Sequence, residues 1–337
     1  MKKSLSLFFP ILLVIALAFP TAGAWERGTH AFIADQLKKA NGPYNIEEMY
    51  GAMAPDAFNY LFTQPYILYR DFLYDQTHHY FLKIQQAVKY GYEKSSSYGF
   101  ISHNDTWGAD STAHRASLTL LPDEGYVITK AKLLDEYLKS VSTDYADLFA
   151  GNEAVALEVC HNIIEAAGDI VLARYDHSIG QKITQIAARP KINMQNLMAR
   201  AYSKGLADFS RTTAAPLTLE QAEQLIRATE NEFRTTCVAY GWLLQQDESI
   251  ILENVIEQFK QLATVFLSAA GITPPSDELL TALLQASFQA AIGLIETDYM
   301  TEVMATVDML KKGMVKEVKP NVMATRPASV QPKSKKH

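Results

Sequence analysis

Seven of the eight histidines lie between His30 and His177, and the eighth is the terminal His337. Chemistry that depends on imidazole therefore belongs to the first half of the chain. Within that half, Asp110 and His114 stand four apart in DSTAH, and His161 and Glu165 stand four apart in HNIIE. On an α-helix each pair projects from one face on successive turns. A single such pair is more often a surface hydrogen bond. Two of them in a helical chain form the pattern by which a bundle holds metal ions, and zinc accepts both nitrogen and oxygen ligands.

His103 adds a third point to the first pair. At about 100° per residue, positions 103, 110 and 114 share one stripe of a continuous helix. Seven residues of unbroken helix would still hold His103 and Asp110 about 10.5 Å apart. Closer convergence requires a break within Asn104-Asp105-Thr106-Trp107-Gly108. Upstream, His78 and His79 are adjacent and must diverge, and Asp56 in APDAFNY follows a proline that marks a loop or a helix start. Taken singly, a hydrogen-bonded histidine and a helix cap are the plain readings of these positions.

The elements that must carry these residues are helices. Apolar residues recur three or four apart through almost every long segment, with no series of alternating strands, so the expected fold is all-α, a multi-helix bundle. Thr218 and Gln221 form a capping box ahead of one late helix, and Leu252, Val255, Phe259, Leu262 and Phe266 stripe the next. Pro274-Pro275-Ser276-Asp277 opens another, carried by Leu280, Leu284, Phe288, Ile292 and Ile295.

Lys2 and Lys3, the apolar run from Leu5 to Pro20 and the small residues Ala22-Gly23-Ala24 read as a secretory signal peptide over 1–24, so that export leaves Trp25 first in a periplasmic or secreted protein. Loss of the two leader lysines leaves 29 basic residues against 37 acidic ones, a balance that argues against a general polyanion-binding surface or a stable nucleic-acid partner. Cys160 and Cys237 are the only cysteines, which excludes a disulfide scaffold and leaves one bridge or two buried thiols open. Residues 25–210 are expected to form the histidine-bearing helical domain. Residues 211–313 form a C-terminal helical region packed on it or separate, and 314–337 a disordered basic tail whose lysines could make a peripheral contact with anionic lipid. Oligomeric state is not written in these patterns.

Taken in order, WERGTH, APDAF, THHYF, YGFISHNDTWGADSTAH and HNIIE resemble the zinc-dependent phospholipase C family, which is related to the secreted single-strand-specific zinc nucleases. The resemblance spans roughly Trp25 to Glu165 and rests on the ordered set rather than on any one motif. It implies an α-helical fold with two or three zinc ions. A Trp25 amine and carbonyl, together with His30, would hold one ion. Asp56, His79 or His78, His103 and Asp110 would follow, with His79 preferred because it directly precedes Tyr80-Phe81, and His114, His161 and Glu165 would complete the set. The family commonly places its aspartate four residues after the equivalent of His103, where this chain has Trp107, so Asp105 rivals Asp110.

The implied activity is zinc-dependent phosphodiester hydrolysis of phospholipase C type, releasing a phospholipid headgroup by attack of a metal-activated hydroxide, with Asp56 orienting or deprotonating the water. Phe58, Tyr60 and Tyr80 are aromatic candidates for a headgroup pocket, Asp169 for orienting a ligand, and His177 for a structural or exposed position. A single-strand nuclease-like phosphodiesterase and a non-catalytic zinc-binding helical envelope protein are the alternatives. No lipid-binding β domain follows residue 200, so the substrate class has no support from an accessory domain.

Overall fold

The computed structural model describes residues 25–39, 45–61, 65–189 and 194–317. The expected signal peptide and all but the first residues of the expected tail lie outside them. Among the described residues every regular element is helical, and no strand is present.

The first half comprises α1 (Arg27–Leu37), α2 (Asn45–Met53), a 3-10 helix (Ala54–Tyr60), α3 (Ile67–His78), α4 (Lys83–Gln86), α5 (Gly91–His103), α6 (Ala109–His114), α7 (Tyr126–Val141), α8 (Thr143–Leu148) and the long α9 (Glu153–Tyr175). Then follow α10 (Ile179–Ala187), α11 (Met194–Ser210), α12 (Leu219–Leu243), α13 (Glu248–Ala269), α14 (Asp277–Ile295) and α15 (Tyr299–Glu317). The last helix thus runs past position 313, into the segment expected to be tail.

Two starts legible in sequence are built as expected. Thr218 Oγ1 accepts from Gln221 N at 3.2 Å while Gln221 Oε1 accepts from Thr218 N at 2.8 Å, and Ser276 Oγ accepts from Leu279 N at 3.3 Å. Each satisfies amide donors that a helix start leaves without partners.

The tightest helix crossing matters most for chemistry. A Cβ on Gly51 would lie 2.1 Å from Ser96 O, and one on Gly99 would lie 1.8 Å from Glu48 O. No side chain fits at either position, so α2 and α5 approach backbone to backbone. That approach carries the Ala52 carbonyl to 2.7 Å from His103 Nδ1.

The late helices pack on the histidine-bearing ones. α14 lies against α9 and α7, and α15 against α1 and α6. Buried Glu302 of α15 accepts from Ser117 Oγ (2.9 Å), Leu118 N (2.8 Å), Thr119 N (2.8 Å) and Thr119 Oγ1 (2.5 Å), which ties the loop after α6 to the last helix. Glu302→Gln turns one acceptor oxygen into a donor amide facing these donors. It should lower the unfolding free energy by about 1–3 kcal/mol, the usual cost of leaving a buried polar group unpaired. A urea midpoint equal to that of the parent protein would refute this.

Both cysteines are buried free thiols, Cys160 in α9 and Cys237 in α12, which decides between the two states left open by the sequence. Burial pushes each thiol up to about 12, so neither is a reactive nucleophile.

Candidate metal centre

Four helix ends meet at one point in the interior. His78 ends α3, His103 ends α5, Asp110 lies in the first turn of α6, and Asp56 lies in the first turn of the 3-10 helix behind Pro55. Imidazoles at helix C-termini and carboxylates at N-termini are the arrangement that peptide dipoles favour. His30, in the first turns of α1, faces the same point.

The sequence segment that should have separated His103 from Asp110 contains the required break. Asn104 Oδ1 accepts from Thr106 N (2.8 Å), Trp107 N (2.9 Å) and Gly108 N (3.3 Å), folding the chain into a tight turn. A Cβ on Gly108 would stand 2.5 Å from both the His103 and Asn104 carbonyl oxygens, so the turn admits only glycine there. Asp110 consequently swings back until its Oδ2 lies 3.0 Å from His103 Nε2.

The distances among the four groups have a common scale. His78 Nε2 is 3.4 Å from Asp56 Oδ1, 3.6 Å from Asp110 Oδ2 and 3.1 Å from His103 Nε2, and His103 Nε2 is 3.5 Å from Asp56 Oδ1. With the 3.0 Å contact, these five distances place Asp56 and Asp110 each against the same two imidazole nitrogens. Zinc bonds of about 2.0–2.2 Å at tetrahedral angles separate ligand atoms by about 3.3–3.6 Å. Two imidazole Nε2 atoms 3.1 Å apart also make better sense as co-ligands than as partners of each other.

The tautomers point the same way. His103 Nδ1 faces the Ala52 carbonyl at 2.7 Å, and His78 Nδ1 faces the Tyr74 carbonyl at 3.0 Å. A carbonyl only accepts, so each Nδ1 carries a proton, and each Nε2, once deprotonated, is the atom that can offer a lone pair to an ion.

Asp110 serves a second group. Its other oxygen, Oδ1, lies 3.2 Å from His30 Nε2, and the His30 and His103 rings stack 3.9 Å apart. His30 Nε2 and both Asp110 oxygens are buried without a hydrogen-bond partner. Orphaned polar atoms that converge in an interior need a cation or an ordered water to complete them.

A third group lies on α6 and α9. His161 Nε2 is 2.7 Å and His114 Nε2 3.8 Å from Glu165 Oε1, and His114 Nε2 is again buried and orphaned. Three His and carboxylate sets, His30/His103/Asp110, Asp56/His78/His103 and His114/His161/Glu165, thus each bring their ligand atoms within 4.8 Å of one another. Each could hold a metal ion.

One preference drawn from sequence changes, and one rivalry is decided. His78, not His79, joins the cluster: it closes α3 facing inward, whereas His79 is the next residue, 38% exposed, with Nδ1 on Asp75 at 3.2 Å. A rotation of about 100° per residue makes the two diverge. Asp110 holds its place against Asp105, which does not join the cluster. Asp105 Oδ1 lies 3.3 Å from His114 Nδ1 and its Oδ2 accepts from Tyr74 Oη at 3.0 Å, so it holds His114 from behind. Tyr74 also stacks on His78 at 3.9 Å, joining the two groups through one ring.

The charges are strongly coupled. Burial opposes ionisation of Asp56 and Asp110, yet His103 and its neighbours hold both carboxyls well below the ordinary 3.8. Burial likewise opposes the His103 imidazolium, but Asp110 and Asp56 raise it well above 6.5. His114 is held up at about 10 by Asp105 and Glu165 against the same burial. Burial and the adjacent His103 keep His30 below its usual value.

Trp25 is fully buried. Its Nε1 donates to the Ala109 carbonyl at 3.0 Å and to Thr112 Oγ1 at 3.3 Å, and its ring meets Tyr299 edge-on at 5.4 Å. The indole is therefore seated on residues of α6 that flank Asp110. Asp169 accepts from Gly28 N (2.6 Å), Thr29 N (2.8 Å), Thr29 Oγ1 (2.7 Å) and Tyr240 Oη (2.6 Å), so it fixes the start of α1 rather than a ligand side chain. Phe58 is core, Tyr80 is exposed, the Tyr60 side chain lies outside the described residues, and His177 is exposed. The supports at Ala52, Tyr74 and Asn59, which donates to Asp56 Oδ1 at 2.9 Å, escape sequence reading. Only Asn104 and Gly108 left a signal, as turn formers.

No protein-family model matches the chain, and neither a curated protein nor a solved structure matches it.

Proposed function

We propose that the chain is a zinc-dependent phosphodiesterase, of phospholipase C type in fold and reaction, acting on phospholipid headgroup esters. What carries this reading is the convergence of His78, His103, Asp56 and Asp110 at 3.0–3.6 Å in the interior, with Asp110 also reaching His30. A carboxylate shared between two ligand groups suits adjacent cations, and adjacent cations suit phosphate oxygens.

In this reading His78, His103, Asp56 and Asp110 hold one ion, His30 and Asp110 a second with the Trp25 amine once residues 1–24 are removed, and His114, His161 and Glu165 a third. Zinc bound there would supply Lewis acidity toward phosphate oxygens and lower the pKa of coordinated water toward neutrality. The chain's own part is orientation. Ala52, Tyr74 and Asp105 fix the proton-bearing Nδ1 of His103, His78 and His114, so three Nε2 atoms face inward. Asp56 turns Oδ1 toward the two histidines, which assigns its Oδ2 to accept the proton of the attacking water.

The test uses protein beginning at Trp25, loaded with zinc and offered phosphatidylcholine and single-stranded DNA separately. Two or more tightly held ions and hydrolysis of the lipid are expected. Preferential cleavage of DNA would transfer the assignment to a nuclease, and fewer than two ions with neither substrate hydrolysed would end the catalytic reading.

A further inference from the structure

The rim of the metal centre carries an arginine held in an unusual way. Arg115 directly follows His114 and is exposed. Its Nη2 donates to His79 Nε2 at 3.4 Å, and His79 Nδ1 lies 3.2 Å from Asp75 Oδ1. The other described arginines near the core pair with carboxylates, as Arg27 does with Glu26 and Arg200 with Glu93. For Arg115 no described carboxylate is within ion-pair range. Asp105 lies 3.8 Å from His79 Nε2 and is engaged by His114 and Tyr74.

An imidazole ring, unlike a carboxylate, positions a guanidinium without cancelling its charge. Asp75 lies against His79, His79 holds Arg115, and Glu302 pins the backbone of Leu118 and Thr119 just beyond. The planar fork keeps donors for a carboxylate or phosphate, the groups it binds bidentately.

The geometry points to Arg115, positioned by His79, as a recognition site for a second anionic group on the substrate, beside the phosphate held at the metal centre. This rests on the phosphodiesterase reading and narrows it, from phospholipids at large to those whose headgroup carries a carboxylate or a further phosphate. Serine and ethanolamine headgroups differ by one carboxylate and are the cleanest pair to compare.

Binding of phosphoserine and of phosphoethanolamine to the zinc-loaded protein, measured by titration calorimetry, tests the site without turnover. Phosphoserine should bind about tenfold more tightly, the scale of one charge-assisted pair at a partly exposed position. Arg115→Gln should bring the two affinities within about twofold, and Arg115→Lys, which keeps the charge and loses the fork, should leave an intermediate preference. Equal affinities in the parent protein, a preference that survives in Arg115→Gln, or equal weakening of both ligands would overturn the assignment, as would no binding of either. A preference that depends on Arg115 in a protein that hydrolyses no phosphodiester would uphold this site and reject the phosphodiesterase reading.

Discussion

Asp110→Asn is expected to lower the zinc content by at least one ion and phosphodiester hydrolysis on the order of 10³-fold, the scale lost when one group that organises transition-state charge is deleted. The size follows from position. Asp110 Oδ2 faces His78 and His103 while Oδ1 faces His30, so a single substitution damages two ligand groups at once. Asparagine keeps the shape of the side chain and removes the charge that pairs with buried His103. The companion variant Asp105→Asn touches only the hydrogen bond behind His114. It should keep every ion and weaken binding by about 10–100-fold, as expected of a group that orients a ligand. Metal analysis and rates on the same preparations separate the two. Wild-type zinc in Asp110→Asn would remove this residue from the centre, and an equal loss in Asp105→Asn would reinstate the rival.

Zinc binding at pH 7 is expected to release at least two protons, one each from His103 and His114, besides the one the Trp25 amine must give up to bind. In the metal-free protein His103 is held well above 6.5 and His114 up at about 10, so both carry imidazolium protons at neutrality. Asp56 and Asp110 are already ionised, and His30, lowered by burial and by His103, is already neutral. Metal and proton compete for the same lone pairs, so affinity at each site should climb about tenfold per pH unit for each proton displaced, from pH 6 to 8. Calorimetry in two buffers of different protonation enthalpy counts the protons directly, and a count near zero would refute the charge state described for His103 and His114.

The same shifts set the pH profile of the metal-free fold. The two aspartates contribute stability above their unfolded 3.8 that is lost as pH falls. The two histidines contribute stability that is complete below 6.5 and lost as pH rises through their elevated folded values. These four groups together favour the interval between about pH 4 and 6.5.

Helical periodicity made the all-α character legible, because 3.6-residue spacing is a local property that any window of the chain displays. The capping residues Thr218 and Ser276 were legible for the same reason. The pairs Asp110/His114 and His161/Glu165 announced two faces, and both lie in the centre. The choice between His78 and His79 was not legible, since adjacent residues on a helix differ only in which way the helix is turned against its neighbours. Asp105 and Asp110 were separable only once the Asn104 turn and the Gly108 contact fixed the path between α5 and α6. Asp169 was visible as an acid on a useful face, but its partners are backbone amides 140 and 141 residues away, which no local pattern can show. The same holds for Glu302, a lone acid in sequence and the anchor of a site loop in space.

The packing of α15 on α1 and α6 also dictates an order of events in folding. Thr29 meets Tyr299 across 270 residues, Thr112 meets Thr306 across 194, and Ser117 meets Glu302 across 185. Contacts closed over such spans form late, because the chain between them must be ordered or looped first. A ribosome releasing this chain has already finished every candidate metal-ligating side chain by Glu165, yet the supports around Trp25, Thr112 and the Ser117–Thr119 loop are still unmade. The ligands are therefore gathered early and locked last, and a polypeptide halted before α15 would carry the full ligand set on a framework still able to let ions exchange.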